Sequence, residues 1–190
     1  MAVVGSRSDG VSVNGARAAG LGIVVAAVVA AGVFAASAFA TTRSETSLQS
    51  LNHQVLAAVN RFRRAHGRAP LSAASGLDRS AHQHSFEMGE DGYFAHPSAD
   101  GTSFWRRIQH YYTQGHHAYW SVGENLLWAS PTVSVGRAMR MWIASPEHLQ
   151  NLLSRSWRQI GVSAVRVPHA PGVFHGLPVT IITADFGVRR

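Results

Sequence analysis

The chain contains no cysteine and no lysine among its 190 residues. Without cysteine it cannot use disulfides, a thiol nucleophile, a cysteine zinc site or an iron–sulfur cluster. Two common hydrolase signatures are also missing, because neither the HExxH pair of zincin proteases nor the G-x-S-x-G elbow of serine hydrolases occurs. No phosphate-binding glycine motif is found after residue 40. Nucleotide chemistry and these hydrolase types therefore have no support in the sequence.

The basic character of the chain comes from arginine alone. The chain has seventeen arginines and ten acidic residues, which gives a formal net charge of +7. They are scattered, and the one cluster consists of Arg61, Arg63, Arg64 and Arg68. Nucleic-acid binding requires a continuous basic stripe with interleaved stacking aromatics. The sequence therefore predicts no nucleic-acid partner, and at most a weak, salt-sensitive attraction to anionic cell-surface polymers or lipids.

The first 40 residues differ in kind from the rest. Residues 21–40 carry no charge, and a run of about 20 apolar residues can span a bilayer as a helix. Arg7 and Arg17 precede the run, which predicts a cytoplasmic N-terminus. It ends in Ala38-Phe39-Ala40, which places small residues at the two positions that signal peptidase recognises. We interpret residues 1–40 as a signal peptide, or alternatively as an uncleaved membrane anchor. Either way the domain is exported, secreted or tethered, with membrane contact expected only through residues 21–40.

The rest of the chain is expected to be a polar linker, residues 41–47, followed by one domain, residues 48–190. Apolar residues make up 46% of the chain, enough for a core. Apolar spacing and turn signals predict helices first and a strand pair at the end. The predicted helices start after Ser47, near Leu77, near Ser103, at Ser130-Pro131 and at Ser145-Pro146; the predicted strands run from Gln159 to Val167 and from Leu177 to Phe186. Residues 114–131 are interpreted as an irregular connection. This order predicts an α+β fold and not a parallel nucleotide-binding sheet.

Three side chains are candidates for chemistry. His96 lies in a loop before Pro97, and taken alone it is more simply a turn histidine. Glu124 lies in an otherwise apolar stretch, so its carboxylate should be buried with a partner or point into a cleft. His148 follows the helix start at Pro146, where free backbone donors lower the pKa of a histidine. When His148 is considered alone, a structural role and a functional role are equally well supported.

Together these motifs resemble the CAP superfamily of cysteine-rich secretory, antigen 5 and plant pathogenesis-related proteins, in its bacterial form. The matching segments follow the family's order from about Leu51 to Gly187, and they include Val59 to Arg63, His84-Ser85, Phe94-x-His96, Gly123-Glu124-Asn125, Ser145-Pro146-x-His148 and Asp185-Phe186-Gly187. The resemblance implies an α–β–α sandwich with a small antiparallel sheet between helices. It also implies a cleft in which histidines and acids meet, sometimes around a divalent metal.

Position by position, the family's histidines map onto His96 and His148, and its best-known glutamate maps onto Glu124. The second glutamate of animal and plant members falls on Ser145, and Glu147 occupies a position usually held by glycine. The resemblance therefore implies a ligand cleft formed by these five residues. It requires no cofactor, although it allows Zn²⁺ or another divalent cation on His96 and His148.

Two functions of different classes remain open. The favoured one is a non-enzymatic exported domain that binds an extracellular or cell-envelope ligand, a lipid or a polymer, at the cleft. It is favoured because the sequence offers no nucleophile and no complete set of metal ligands. The alternative is a metal-assisted, peptidase-like hydrolase, in which His96 and His148 hold Zn²⁺ and Glu124 orients or deprotonates a bound water. In a third interpretation the cluster is only a polar part of the core.

Overall fold

The computed structural model describes residues 48–190. The predicted leader of residues 1–40 and the predicted linker of residues 41–47, with its helix cap at Ser47, lie outside the described residues. Within residues 48–190, no helix is both long enough and apolar enough to cross a membrane.

The described residues form five α-helices and four strands in mixed order. The helices are α1 (residues 48–65), α2 (Ser75–Asp91), α3 (Phe104–Tyr111), α4 (Val135–Ile143) and α5 (Pro146–Leu153). The strands are β1 (Ser72–Ala73), β2 (Trp120–Ala129), β3 (Gln159–Val167) and β4 (Val179–Arg189). A short 3₁₀ helix, Gly172–Phe174, lies in the connection between β3 and β4.

The strands form one sheet in the order β1-β3-β4-β2. β4 pairs antiparallel with both β3 and β2, whereas the two residues of β1 pair parallel with β3. One face of the sheet, which includes Ile182 and Ala184 of β4, packs against α1, α4 and α5. The other face, which includes Ile181, packs against α2 and α3. The predicted α–β–α sandwich is therefore confirmed, with the refinement that its sheet is mixed at the short β1.

β2 corrects the interpretation of residues 114–131 as an irregular connection. Trp120–Ala129 is a ten-residue strand that pairs along its whole length with β4. This strand was not predicted from the sequence, because β2 is covered on both faces and its apolar residues therefore do not alternate with polar ones. Gly123-Glu124-Asn125 at its centre also consists of residues that are rare in strands.

The start of α4 was predicted wrongly at Ser130-Pro131. α4 begins at Val135, because Ser134 caps it by accepting a hydrogen bond from the backbone N–H of Arg137 at 3.3 Å. The same dipeptide signal at Ser145-Pro146 was interpreted correctly, and Pro146 is the first residue of α5.

Two arginine side chains, one buried and one half-buried, hold α5 against the rest of the domain. Arg63 on α1 is 1% exposed and donates to the backbone carbonyls of Leu152 and Ser154. Arg68 donates to the carbonyl of Leu153. The last carbonyls of a helix have no partner within it, so these guanidinium groups satisfy the C-terminus of α5. Part of the arginine cluster therefore has a structural role, and it positions the helix that carries His148.

Candidate functional site

The site is built around Glu124, which lies at the centre of β2. Its side chain is 1% exposed and points towards the face of the sheet that α2 and α3 cover. Arg107 of α3, whose side chain is 2% exposed, donates from Nη2 to Oε2 of Glu124. A buried carboxylate needs such a partner, because isolation from water penalises its charge.

His96 completes a direct contact with this pair. Its Nδ1 lies 2.7 Å from Oε1 of Glu124, and its side chain is 33% exposed. Arg107 also donates from Nη1 to the carbonyl of His96 at 3.2 Å. The pKa of His96 is lowered, first by burial and then by the charge of Arg107. The ring is therefore neutral at pH 7, with Nδ1–H donating to Glu124 and Nε2 left as an acceptor.

His84 of α2 holds the loop that carries His96. Its ring is fully buried; Nε2 donates to the carbonyl of Ala95 at 2.9 Å, and Nδ1 faces the hydroxyl of Tyr93 at 3.4 Å. Burial lowers the pKa of His84 to about 3, and the nearby Arg107 acts in the same direction. A permanently neutral imidazole therefore anchors the backbone next to His96.

His148 approaches the site from α5, on the other side of β2. The residue is 6% exposed, and its carbonyl accepts a hydrogen bond from Asn125 at 3.0 Å. Its Nδ1 is buried without a hydrogen-bond partner. Burial lowers the pKa of His148, and a positive charge on His96 acts in the same direction.

Ser145 and Glu147 contact each other beside His148. Ser145, which is buried, donates from Oγ to Oε2 of the exposed Glu147 at 3.1 Å. The negative charge of Glu147 opposes the lowering of the His148 pKa, but burial outweighs it. Of the five predicted cleft residues, the structure thus brings His96 and Glu124 into direct contact. It places His148, Ser145 and Glu147 in a neighbouring group.

Two site residues, Arg107 and Asp185, were not singled out as chemically important in the sequence. Arg107 occupies the inward stripe of α3 together with Phe104, Ile108 and Tyr111, and a charged residue on such a stripe indicates a buried partner. Asp185 follows an apolar run in β4 and is 0% exposed. It lies directly opposite Glu124 in the pairing of β2 with β4.

Burial dominates the electrostatics of the two acids. It raises the pKa of Glu124 to about 7, and the charge of Arg107 opposes this rise. Burial also raises the pKa of Asp185 well above its ordinary value, and the negative charge of Glu124 adds to that rise. Arg107 provides one positive charge, so it can compensate the negative charge of only one of the two carboxylates at a time.

The donor set does not fit a catalytic zinc site. Such sites use three protein ligands and leave a fourth position for water or substrate. In the described part of the chain, no group of three or more His, Asp or Glu side chains is arranged to hold a metal ion. Nε2 of His96 is free, but Glu124 is hydrogen-bonded to both Arg107 and His96 and is therefore not available as a further ligand. No metal-dependent step follows from this arrangement.

Comparison with known proteins gives curated relatives of similar sequence. The uncharacterised membrane protein YlbC of Bacillus subtilis (strain 168) is 31% identical over 113 residues, which cover 60% of this chain and 31% of the relative. The uncharacterised protein YkwD of the same strain is 26% identical over 125 residues, which cover 66% of this chain and 46% of the relative. The chain thus spans less than half the length of either relative.

Solved structures share the fold at low identity. An extracellular protein containing an SCP domain from Bacillus anthracis str. Ames superposes with a TM-score of 0.56 at 22% identity, covering 75% of this chain and 41% of that one. An outer surface protein of Borrelia burgdorferi gives a TM-score of 0.52 at 19% identity, covering 71% and 90%. A family model described as CAP, the cysteine-rich secretory protein family, matches residues 56–183. More than half of the chain is matched, and the chain therefore belongs to the CAP family.

Proposed function

We propose that this chain is an exported CAP-domain protein that binds a hydroxyl-bearing component of the cell envelope, a lipid head group or a polymer, at the cleft around His96. The observation that supports this most is the state of the His96 ring. It is one-third exposed, yet Glu124 holds its Nδ1 at 2.7 Å. A ring that is both accessible and held in one orientation loses little entropy when a ligand binds.

The chemistry of the ring determines what it can recognise. Because Nδ1–H donates to Glu124, the remaining nitrogen, Nε2, is a neutral acceptor at pH 7. A ligand must therefore supply a hydrogen-bond donor, such as a hydroxyl group. The aromatic ring of Phe104 lies beside His96, with ring centroids 6.1 Å apart, and offers an apolar surface next to the acceptor. A polar donor beside an apolar face is common to sugars and to lipid head groups.

Export supports an envelope ligand over an intracellular one. The proposal that residues 1–40 direct export rests on their charge pattern and on the small residues before Thr41. The structural neighbours include an extracellular protein and an outer surface protein, which agrees with this proposal.

Metal-assisted hydrolysis is the less well supported alternative. A carboxyl group with a pKa near 7 can serve as a general base. However, the Glu124 side chain is 1% exposed and is bonded to both Arg107 and His96, so it has no free path to a substrate or a bound water.

The proposal is tested by titrating the ¹⁵N-labelled protein with soluble cell-wall fragments and, separately, with phospholipid vesicles. We expect one of the two to shift the ring signals of His96, and His96→Ala to weaken that binding by roughly tenfold or more, which corresponds to about 1.4 kcal/mol. His116→Ala is the matched control, since His116 is an exposed loop histidine outside the cleft. Equal affinities for wild type and His96→Ala would contradict the proposal.

A parallel titration with Zn²⁺ addresses the alternative. We expect weak zinc affinity that differs little between wild type and the His96→Ala/His148→Ala double variant. Tight zinc binding that is lost in the double variant, together with peptide cleavage, would favour the hydrolase instead.

A further inference from the structure

Arginines from two distant segments of the chain meet at one end of the domain. The last turns of α1 carry Arg61 and Arg64 on their exposed surface. Arg63 and Arg68 of the same segment donate to backbone carbonyls of residues 152–154. The C-terminal end of α1 therefore lies directly beside the segment that leads from α5 into β3.

That segment adds two more arginines to the same end of the molecule. Arg155 and Arg158 are both exposed. Nη1 of Arg158 donates to the carbonyls of Arg155 and Ser156 at 2.7 and 3.3 Å, which holds this guanidinium group against its own segment. The exposed or half-buried arginines of the two segments form a surface that we call the arginine patch, and it consists of Arg61, Arg64, Arg68, Arg155 and Arg158.

No acidic side chain from these segments offsets the charge of the patch. Neither residues 46–77 nor residues 148–184 contain an aspartate or a glutamate. Within residues 48–190, the side chains of Arg61, Arg64 and Arg155 form no ion pair. Unpaired like charges repel one another and do not stabilise the domain, so their concentration at one end favours a role in attracting an anionic partner.

The side chains around the patch favour a polymer over a membrane or a nucleic acid. The large apolar side chains exposed in the described residues are Phe86, Trp105, Tyr119 and Val173, and none of them belongs to either segment of the patch. A surface that lies in a membrane also inserts apolar side chains, and single-stranded nucleic acid is bound by stacking on aromatic rings. Arginine by itself suits phosphate groups, because its planar fork donates two hydrogen bonds to one group.

We propose that the arginine patch binds a linear phosphodiester polymer of the cell envelope. The inference rests on the proposed export of the chain but not on ligand binding at the cleft. His148 of the candidate site lies in the first turn of α5 and Arg155 follows its last turn, so the site and the patch lie at opposite ends of this helix. Contacts to successive phosphates are individually weak and sensitive to salt, and several arginines acting together hold the polymer.

The experiment measures binding of the full chain to synthetic poly(glycerol phosphate) at several salt concentrations. The variant Arg61→Gln/Arg64→Gln/Arg155→Gln removes the three charges of the patch that form no ion pair. We expect it to weaken polymer binding by about tenfold or more, and to make the slope of log K against log salt concentration shallower by roughly one to two, because fewer counterions are released. His96→Ala should bind this polymer as the wild type does, which distinguishes failure of the patch from failure of the cleft.

The matched control is Arg79→Gln/Arg140→Gln/Arg166→Gln, which removes the same charge from exposed arginines on α2, α4 and β3. It should keep the affinity and the salt slope of the wild type. Equal losses in the two triple variants would overturn the proposal, because only the net charge would then matter, and so would a wild type that does not bind the polymer. Phosphatidylglycerol vesicles are the second probe, and since residues 1–40 are the same in all variants, a difference between variants reports on the patch. Vesicle binding that only the patch variant loses would assign the patch to a membrane surface and also overturn the proposal.

Discussion

His84 shows how one buried side chain can support the site without taking part in its chemistry. It contacts no solvent, and its Nε2 donates to the carbonyl of Ala95, the residue before His96. A charged imidazole at this position would be removed from water and would also lie close to Arg107, which is why the pKa of His84 falls to about 3. The ordering of the His96 loop therefore depends on His84 remaining neutral.

This dependence predicts how stability changes with pH. The unfolded chain protonates His84 near pH 6.5 and the folded chain only near pH 3, so the unfolded state binds more protons between these values. The free energy of unfolding should therefore decrease as the pH falls from about 6.5, at up to about 1.36 kcal/mol per pH unit for this group. Glu124 acts with the opposite sign, because its pKa is raised from 4.5 to about 7 and it favours the folded state at the acidic end of that range.

The measurement separates the two groups by comparing urea unfolding of wild type and His84→Gln between pH 4 and pH 7. The amide of Gln can donate to the carbonyl of Ala95 but does not titrate. We expect wild type to lose stability relative to His84→Gln on acidification, while the exposed control His116→Gln follows wild type. Parallel profiles for wild type and His84→Gln would show that the folded protein accommodates a charged His84.

At the scale of elements, the domain depends on the close approach of α2 to the sheet. Gly161 of β3 lies against the backbone of Leu77 and Asp78 in α2, with no room between them for a side chain. Asp78 then accepts a hydrogen bond from the N–H of Val162 at 3.0 Å. Because α2 carries His84 and leads into the His96 loop, this contact also determines where the loop lies.

Gly161→Ala is therefore expected to be destabilising by about 2 kcal/mol or more, because the new methyl group would overlap backbone atoms that cannot move aside. Thermal or urea unfolding measures the effect. The matched control is Gly136→Ala on the exposed surface of α4, where the nearest atom is a flexible Arg140 nitrogen at 3.5 Å. That variant should remain within about 0.5 kcal/mol of wild type. Similar stabilities for the two variants would show that α2 is packed less tightly than described.

At the scale of the whole molecule, the domain has no covalent cross-links. The chain has no cysteine, and its core consists of apolar clusters on both faces of the sheet, with Trp142 among the fully buried side chains. A domain of this size buries enough surface to fold without disulfides or other cross-links.

Folding is therefore expected to be independent of metal. The melting temperature and the cooperativity of unfolding should be the same with and without a chelator such as EDTA, since a group of three metal ligands was not found in residues 48–190. Calorimetry measures both quantities in one experiment. Loss of cooperative unfolding in the chelator would reveal a structural metal and contradict this account.

The family and most helices could be predicted from the sequence, because helix starts and apolar spacing depend on neighbouring residues. The start of α5 at Pro146 was predicted correctly, and β3 was predicted with its observed bounds. The misplaced start of α4 shows the limit of such local signals, since Ser-Pro occurs both at a helix start and in the connection before one.

The site itself was decided by tertiary structure. The importance of His96, Glu124 and His148 was predicted from motifs, but their partners were not, because Arg107 and Asp185 reach Glu124 only through packing and strand pairing. β2 was not predicted, because a strand that is covered on both faces shows no alternation of apolar and polar residues. Sequence determined which residues can carry charge or hydrogen bonds. Only the fold decided which of those charges share one buried space, because that depends on contacts between segments that are distant in the chain.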